Sequence, residues 1–364
     1  MRFSKILRVH CWARVLTGLA MATLVFPSAA LAQAPVAAAD LESVKAYLIE
    51  HIGKSKTGTA EILAQAKQYY DLAEASEFDY QALWDAHGPE VATLLADARQ
   101  AWIEEASANY ELSEGLVAGV PSLAYYDVWI DAGPSGADDP VNALDVSVEL
   151  PDGRVLEKPG SLYHYVTEPA LWGTEDAFVG LRLDMDDDGT IELGEALPEA
   201  NAFLGGARAL DAATAELEQA AQAWEPTPSD TFTALVIMIP TMSGYFDEWK
   251  ESVFISGQDT DEVRFVGVSR LADVSGILSG LDVTYGNISP AIAAADPALA
   301  EQIAVELGGL VTFVEDLRDQ EAAGTQFSAE QADQFGTELQ SRATAIAGQI
   351  SQAAALLDIP LQDG

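Results

Sequence analysis

The sequence predicts an all-α protein of two antiparallel, four-helix-type bundles, and three observations carry that prediction. Alanine-rich segments with a 3.6-residue apolar period dominate the chain. Short loops of Pro, Gly and Asp separate them, which suits antiparallel neighbours. Hydrophobic residues make up 49% of the 364 positions, enough for a substantial core. Taken in order, periodic segments at 40–52, 58–76 and 88–108 predict the first helices. The stretch 131–162, rich in Gly, Pro and Asp, breaks the pattern: Leu144 to Leu150, the turn Pro151-Asp-Gly-Arg154 and Val155-Leu156 read as a small β-hairpin, an excursion from the bundle. Segment 200–224 is helical again, and Glu225-Pro-Thr-Pro-Ser-Asp230 ends it and caps the next helix, at 231–252.

A further helix is expected at 270–294. In 297–322, Leu299, Ile303, Leu307, Leu310, Val314 and Leu317 share one stripe, opened by Asp296-Pro297 as N-cap and first-turn proline and stopped near Gly324. The last helix opens on Ser328-Ala-Glu-Gln331, a capping box, and runs towards Leu357 with Phe335, Leu339, Ile346 and Ile350 inward. The expected organisation is a leader at 1–32, an N-terminal bundle at 33–224 that holds the hairpin and an acidic loop at 184–195, and a C-terminal bundle at 225–364.

The leader carries Arg2, Lys5, Arg8 and Arg14, then an apolar run from Val15 to Phe26 and a small-x-small site, Ala30-Leu31-Ala32, so cleavage near Ala32 and export to the periplasm are expected. Cys11, the single cysteine, leaves with it, so the mature protein is expected to have no disulfide, thiol nucleophile or thiolate ligand. Outside the leader, the longest apolar stretch, Ala234 to Ile239, is far below the roughly 20 residues that span a bilayer. The formal charge is −40, and loss of the basic leader makes the chain more acidic still. Such a charge repels nucleic acid and anionic lipid, so neither nucleic-acid binding nor membrane insertion is expected.

Asp184-Met-Asp186-Asp-Asp188-Gly189-Thr190-Ile191-Glu192-Leu-Gly-Glu195 spells an EF-hand calcium loop. Alternate carboxylates can curl around a hard cation, Gly189 makes the sharp turn, Thr190 offers a carbonyl, Glu192 can hold a water and Glu195 closes the shell bidentately. A solvated acidic loop explains the charge but not the glycine, isoleucine and final glutamate at their offsets. No second such loop is found, and Pro198 stands where an exiting helix would run, so a structural Ca2+ clip is expected rather than a sensor.

Three histidines lie beyond the leader: His51, His87 and His164. His164 and Glu168 are four apart, which on a helix puts imidazole and carboxylate on one face, a spacing suited to a cation. A capping or core histidine is the alternative. No His-Glu-x-x-His helix and no Gly-x-Ser-x-Gly elbow occurs, so the motifs of zinc proteases and serine hydrolases are absent from the sequence.

The segment Glu168-Pro-Ala-Leu-Trp172-Gly173 after a histidine resembles the signature of the imelysin family, which includes EfeO-type periplasmic components of bacterial iron uptake. Tyr110-Glu111-Leu-Ser-Glu114 resembles the family's Tyr-Glu-x-x-Glu segment, and Phe265 to Leu278 and Gln340 to Gln349 are similar to its C-terminal helices. The resemblance implies a double bundle and an inter-helix site that binds Fe2+ or Fe3+ through Glu111, Glu114, His164 and Glu168. The chain departs from the family's His-x-x-Glu by one residue, so either a local bulge restores the geometry or the metal role is altered. For the glutamates the alternative is a solvated helical face. The resemblance implies iron capture for an inner-membrane uptake component, not catalysis. A calcium-stabilised polysaccharide-binding module is the runner-up, and the peptidase label carried by the family makes an enzyme the third reading.

Overall fold

A computed structural model of the chain describes residues 38–257, 260 and 263–362. The leader and Cys11 lie outside the described residues. The fold is mainly helical, as the periodicity predicts, with two small antiparallel two-stranded sheets.

Helix α1, Leu41–Ala75, is capped by the Asp40 side chain and buries Val44, Leu48, Ile52, Ile62, Ala66 and Tyr69. It is one continuous helix where the sequence suggested two. Gly58 sits where a Cβ would come within 2.5 Å of the Ala106 backbone nitrogen, so the residue that weakens helical propensity is used for close packing. Helix α2, Tyr80–Gln100, passes into a π-helical stretch, Ala101–Ser107, and then into α3, Ala108–Val117. After the short α4, Ala124–Asp127, a second π-helical turn covers Val128–Ala132. The hairpin then forms as β1, Ser147–Glu149, paired with β2, Val155–Glu157.

A third π-helical turn, Tyr163–Thr167, leads into α5, Glu168–Trp172, which ends on Gly173 in the left-handed region at φ 67°. Strands β3, Val179–Arg182, and β4, Ala196–Pro198, pair antiparallel around the acidic loop. This second sheet was not anticipated, and it replaces the helices that flank an ordinary EF-hand. Helix α6, Ala200–Ala223, returns along α1.

The remaining helices are α7, Pro228–Thr241; α8, Gly244–Glu251; α9, Val253–Ser256; α10, Arg270–Ala295; α11, Pro297–Ala322; and α12, Ala329–Leu356. The span expected as one helix at 231–252 is broken at Met242-Ser243, just past Pro240. Helix α11 runs between the residues predicted, and the Ser328 capping box is formed. By length and composition α11 could cross a bilayer, but its stripe from Leu299 to Leu317 is buried in the core.

Apolar side chains gather into two cores. One joins α1, α2, α3, α5 and α6; the other joins α7, α8, α10, α11 and α12. Helices α3 and α10 pack across the line between them. Gly280 makes that approach possible, since a Cβ there would lie 2.2 Å from the Leu112 carbonyl oxygen. Close contact of these two helices carries the polar centre described next.

Candidate metal centre

Glu111 and Glu114 stand three apart on α3, so both carboxylates leave one helix face. Asp131 comes from the second π-helical turn and His164 from the third. All four are at most 5% exposed. One oxygen each from Glu111, Glu114 and Asp131 lie within 4.8 Å of one another, a spacing that can hold a metal ion. Glu111 Oε2 and Glu114 Oε2 meet no donor among the other protein groups, so the two carboxyls can bond each other only when one of them is protonated, and buried oxygens in that condition are costly.

His164 joins this group to Glu168. Its Nε2 lies 3.0 Å from Asp131 Oδ1 and its Nδ1 2.9 Å from Glu168 Oε2. The extra residue in the His-x-x-x-Glu spacing falls within a π-helical turn, the backbone form that accommodates one residue more than an α-turn. Glu168 stands behind the imidazole. Its Oε1 accepts from Val266 N at 2.7 Å and Gly267 N at 2.9 Å, and its Oε2 accepts from Phe265 N at 3.0 Å. Of the four residues that the family resemblance implied as iron ligands, Glu111, Glu114 and His164 are brought together around Asp131, whereas Glu168 orients the histidine, as a carboxylate behind a ligating imidazole does.

A further shell surrounds them. Tyr245 on α8 donates to Glu114 Oε1 at 2.6 Å, and Tyr110 donates to Asp127 Oδ1 at 3.0 Å. Arg270 on α10 pairs with Asp273 at 2.6 Å and Glu248 at 2.8 Å, its guanidinium 4.1 Å from the ring centres of both Tyr245 and Phe265. Phe265 also packs on the His164 ring, with centroids 4.5 Å apart. Sequence reasoning missed Asp131, Asp127, Arg270 and Asp273. Asp127 and Asp131 repeat at four residues, a helical-face spacing, but the second opens the stretch that reads as an excursion.

The electrostatics follow from burial. Desolvation, with Glu114 as the nearest like charge, pushes the Glu111 carboxyl well above its ordinary value. Burial, then Asp131, pushes Glu114 up to about 7. Asp127 is raised well above its ordinary value by burial and then by Glu114. Burial also works to raise Asp131, but the charge and hydrogen bond of His164, together with Arg270, bring it below the ordinary value. Burial disfavours the imidazolium, yet Asp131 and Glu168 outweigh it and hold His164 at about 10. At neutral pH His164 is therefore protonated between two carboxylates, and burial favours the protonated form of Glu111.

The loop 184–195 is a second acidic group. Asp184, Asp186 and Asp188 each offer an oxygen within 4.8 Å of the others. Gly189 takes φ 96°, the conformation the sharp turn requires. The loop carboxylates are tied to their own backbone: Asp184 Oδ2 accepts from Gly189 N at 2.7 Å, and Glu195 accepts from Met185 N and Glu192 N, each at 2.8 Å. Glu195 is not among the three converging residues, and Ile191 is 55% exposed. The loop is anchored to α5. Gly194 N donates to Trp172 O at 3.1 Å, and Arg99 bridges Leu171 O at 2.8 Å and Gly194 O at 2.6 Å.

No curated protein matches the chain. A family model described as imelysin, under the heading peptidase M75, matches residues 60–353. That match covers α3, the three π-helical turns, α5 and α10, and so takes in every residue of the acidic centre. The chain belongs to the imelysin family.

Proposed function

We propose that this protein captures iron at the centre formed by Glu111, Glu114, Asp131 and His164, and that the loop 184–195 is a structural Ca2+ site. The observation that carries the first part is the convergence of three buried carboxylates with two unpartnered oxygens. Burying like charges without a partner costs several kcal/mol each, and a multivalent cation is the partner that offsets it. Oxygen donors with one imidazole, and no thiolate, suit Fe2+ or Fe3+. Iron here is cargo. Capture rather than turnover is supported by His164, whose two ring nitrogens both face carboxylates rather than a hydroxyl to be activated.

Loading requires His164 to give up the Nε2 proton and Glu111 and Glu114 to ionise, so the cation exchanges for protons. The basic, apolar leader supports placing this capture in the periplasm, with delivery to an inner-membrane uptake component. For the loop, Asp184, Asp186 and Asp188 would hold Ca2+ with the Thr190 carbonyl and Glu195. Glu192 would hold a coordinated water.

Metal analysis and titration calorimetry on protein purified without chelator test this reading. One iron per chain is expected at the centre, with affinity that weakens as pH falls. Glu114→Gln should lower that affinity at least a hundredfold and leave calcium binding unchanged. Iron binding equal in wild type and Glu114→Gln would sink the assignment.

A further inference from the structure

A cavity adjoins the acidic centre at Glu111. Where α3 and the π-helical stretch before it face α10 and α11, this cavity of about 380 Å3 reaches the surface, and Glu111 and Asp273 stand in its wall. Small-molecule sites run from roughly 300 to 1,000 Å3, so the space exceeds what a bare ion needs. Much of the lining is apolar, from Ile103, Ala108, Leu112, Val268 and Ala272. A hydrated cation gains nothing from such walls, whereas the carbon skeleton of an organic molecule does.

The lining holds one basic residue among the described residues, Arg318 of α11. Its Nη1 donates to Ser275 Oγ at 2.9 Å, and its Nε and Nη2 reach Asp319, its neighbour in sequence. The Arg318 side chain is 40% exposed, and its planar fork matches a carboxylate. Glu104 and Asp273 in the same wall disfavour a free anion, so an anion that reaches Arg318 is favoured when it carries a cation with it.

We propose that this cavity receives the cargo as a small hydroxy-acid chelate, with the cation at the acidic centre, the carbon skeleton on Leu112, Val268 and Ala272, and a carboxylate on Arg318. The inference rests on the iron-capture reading and gives it a ligand class. It makes Arg318 a residue that recognises the chelator and not the metal.

Equilibrium dialysis of the processed full chain, with calcium present, tests it, using carbon-14 citrate as the probe, alone and with one equivalent of Fe3+. Wild type should retain no label from citrate alone and about one citrate per iron when both are supplied. Arg318→Gln should retain iron but lose citrate at least tenfold, and Ala272→Leu, which fills the cavity, should lose it by another route. Circular-dichroism melts check that both variants fold. Iron retained by wild type without label, or equal label on wild type and Arg318→Gln, overturns the chelate proposal and leaves iron capture standing. No iron retained by wild type overturns both.

Discussion

Glu111, Glu114 and Asp131 in the bundle are each under 5% exposed, whereas Asp186 and Asp188 in the loop lie on the surface and Asp184 is only half-buried. Both trios bring oxygens within the same 4.8 Å. In the loop, water and the backbone N–H groups of residues 185 to 192 already answer the charge, so a cation competes with local hydrogen bonds. In the bundle the charge is answered by protonation, by His164 and Arg270 at Asp131 and by Tyr245 at Glu114, so a cation competes chiefly with protons. Similar geometry therefore produces two different kinds of site, one a strain carried by the core and the other an ordering of a turn.

The largest expected difference is in the metal-free protein. His164→Ala removes the charged partner of Asp131 and Glu168 and should destabilise the fold by about 3–5 kcal/mol in urea melts at pH 7 with chelator. Asp184→Asn under the same conditions should shift stability by less than about 0.5 kcal/mol. Equal small effects would mean that the buried network carries no strain.

Calcium should reverse the order. Ligation exists only in the folded loop, so Ca2+ at 100 times its dissociation constant should add about 2.7 kcal/mol. Glu195→Gln should lose most of that gain, and Glu111→Gln should keep it. An unchanged melting temperature with and without chelator in wild type would remove the calcium site.

The smallest effect concerns pH. Glu114 is pushed up to about 7 from its ordinary 4.5, so the folded state binds more protons and stability falls as pH rises from about 4.5 through 7. Glu114→Gln removes its share of that slope, to which Glu111 and Asp127 also contribute, and should make the metal-free protein about 1–2 kcal/mol more stable than wild type at pH 8. His164 acts at a different range: raised to about 10, it contributes stability that is complete below about 6.5 and lost as pH climbs through 10. Denaturant melts between pH 4.5 and 8 on wild type, Glu114→Gln and Asp188→Asn separate the regions, because only the first substitution should flatten the slope.

The helices were largely legible because each rests on local chemistry. Helix α11 could be bounded from Asp296-Pro297 and its leucine stripe, and α12 from its capping box. Helix α1 was split just before Gly58, whose use, a close approach to Ala106, is tertiary. At the centre, Glu111, Glu114 and His164 could be picked out from the residues that resemble the family, but the hydrogen bonds that occupy Glu168 could not be foreseen. Its three backbone donors come from residues 265–267, nearly a hundred positions away. Asp131 was hidden for a related reason, since a carboxylate at the edge of a Gly/Pro/Asp-rich stretch carries no periodic signal until the chain folds back on His164. In the loop, spacing picked out Asp184, Asp186 and Asp188, whose oxygens converge, but not the strands that replace the helices.

Three π-helical stretches converge on the centre: one leads into the helix of Glu111 and Glu114, one carries Asp131, and one carries His164. Each extra residue advances everything after it by about 100° around the helix axis. Which side chains meet at the centre is thus fixed by angular phase as much as by residue identity. Single-residue insertion or deletion at these turns, with no change in any acidic side chain, is a route by which an imelysin could retune or silence its centre while its bundles stay intact.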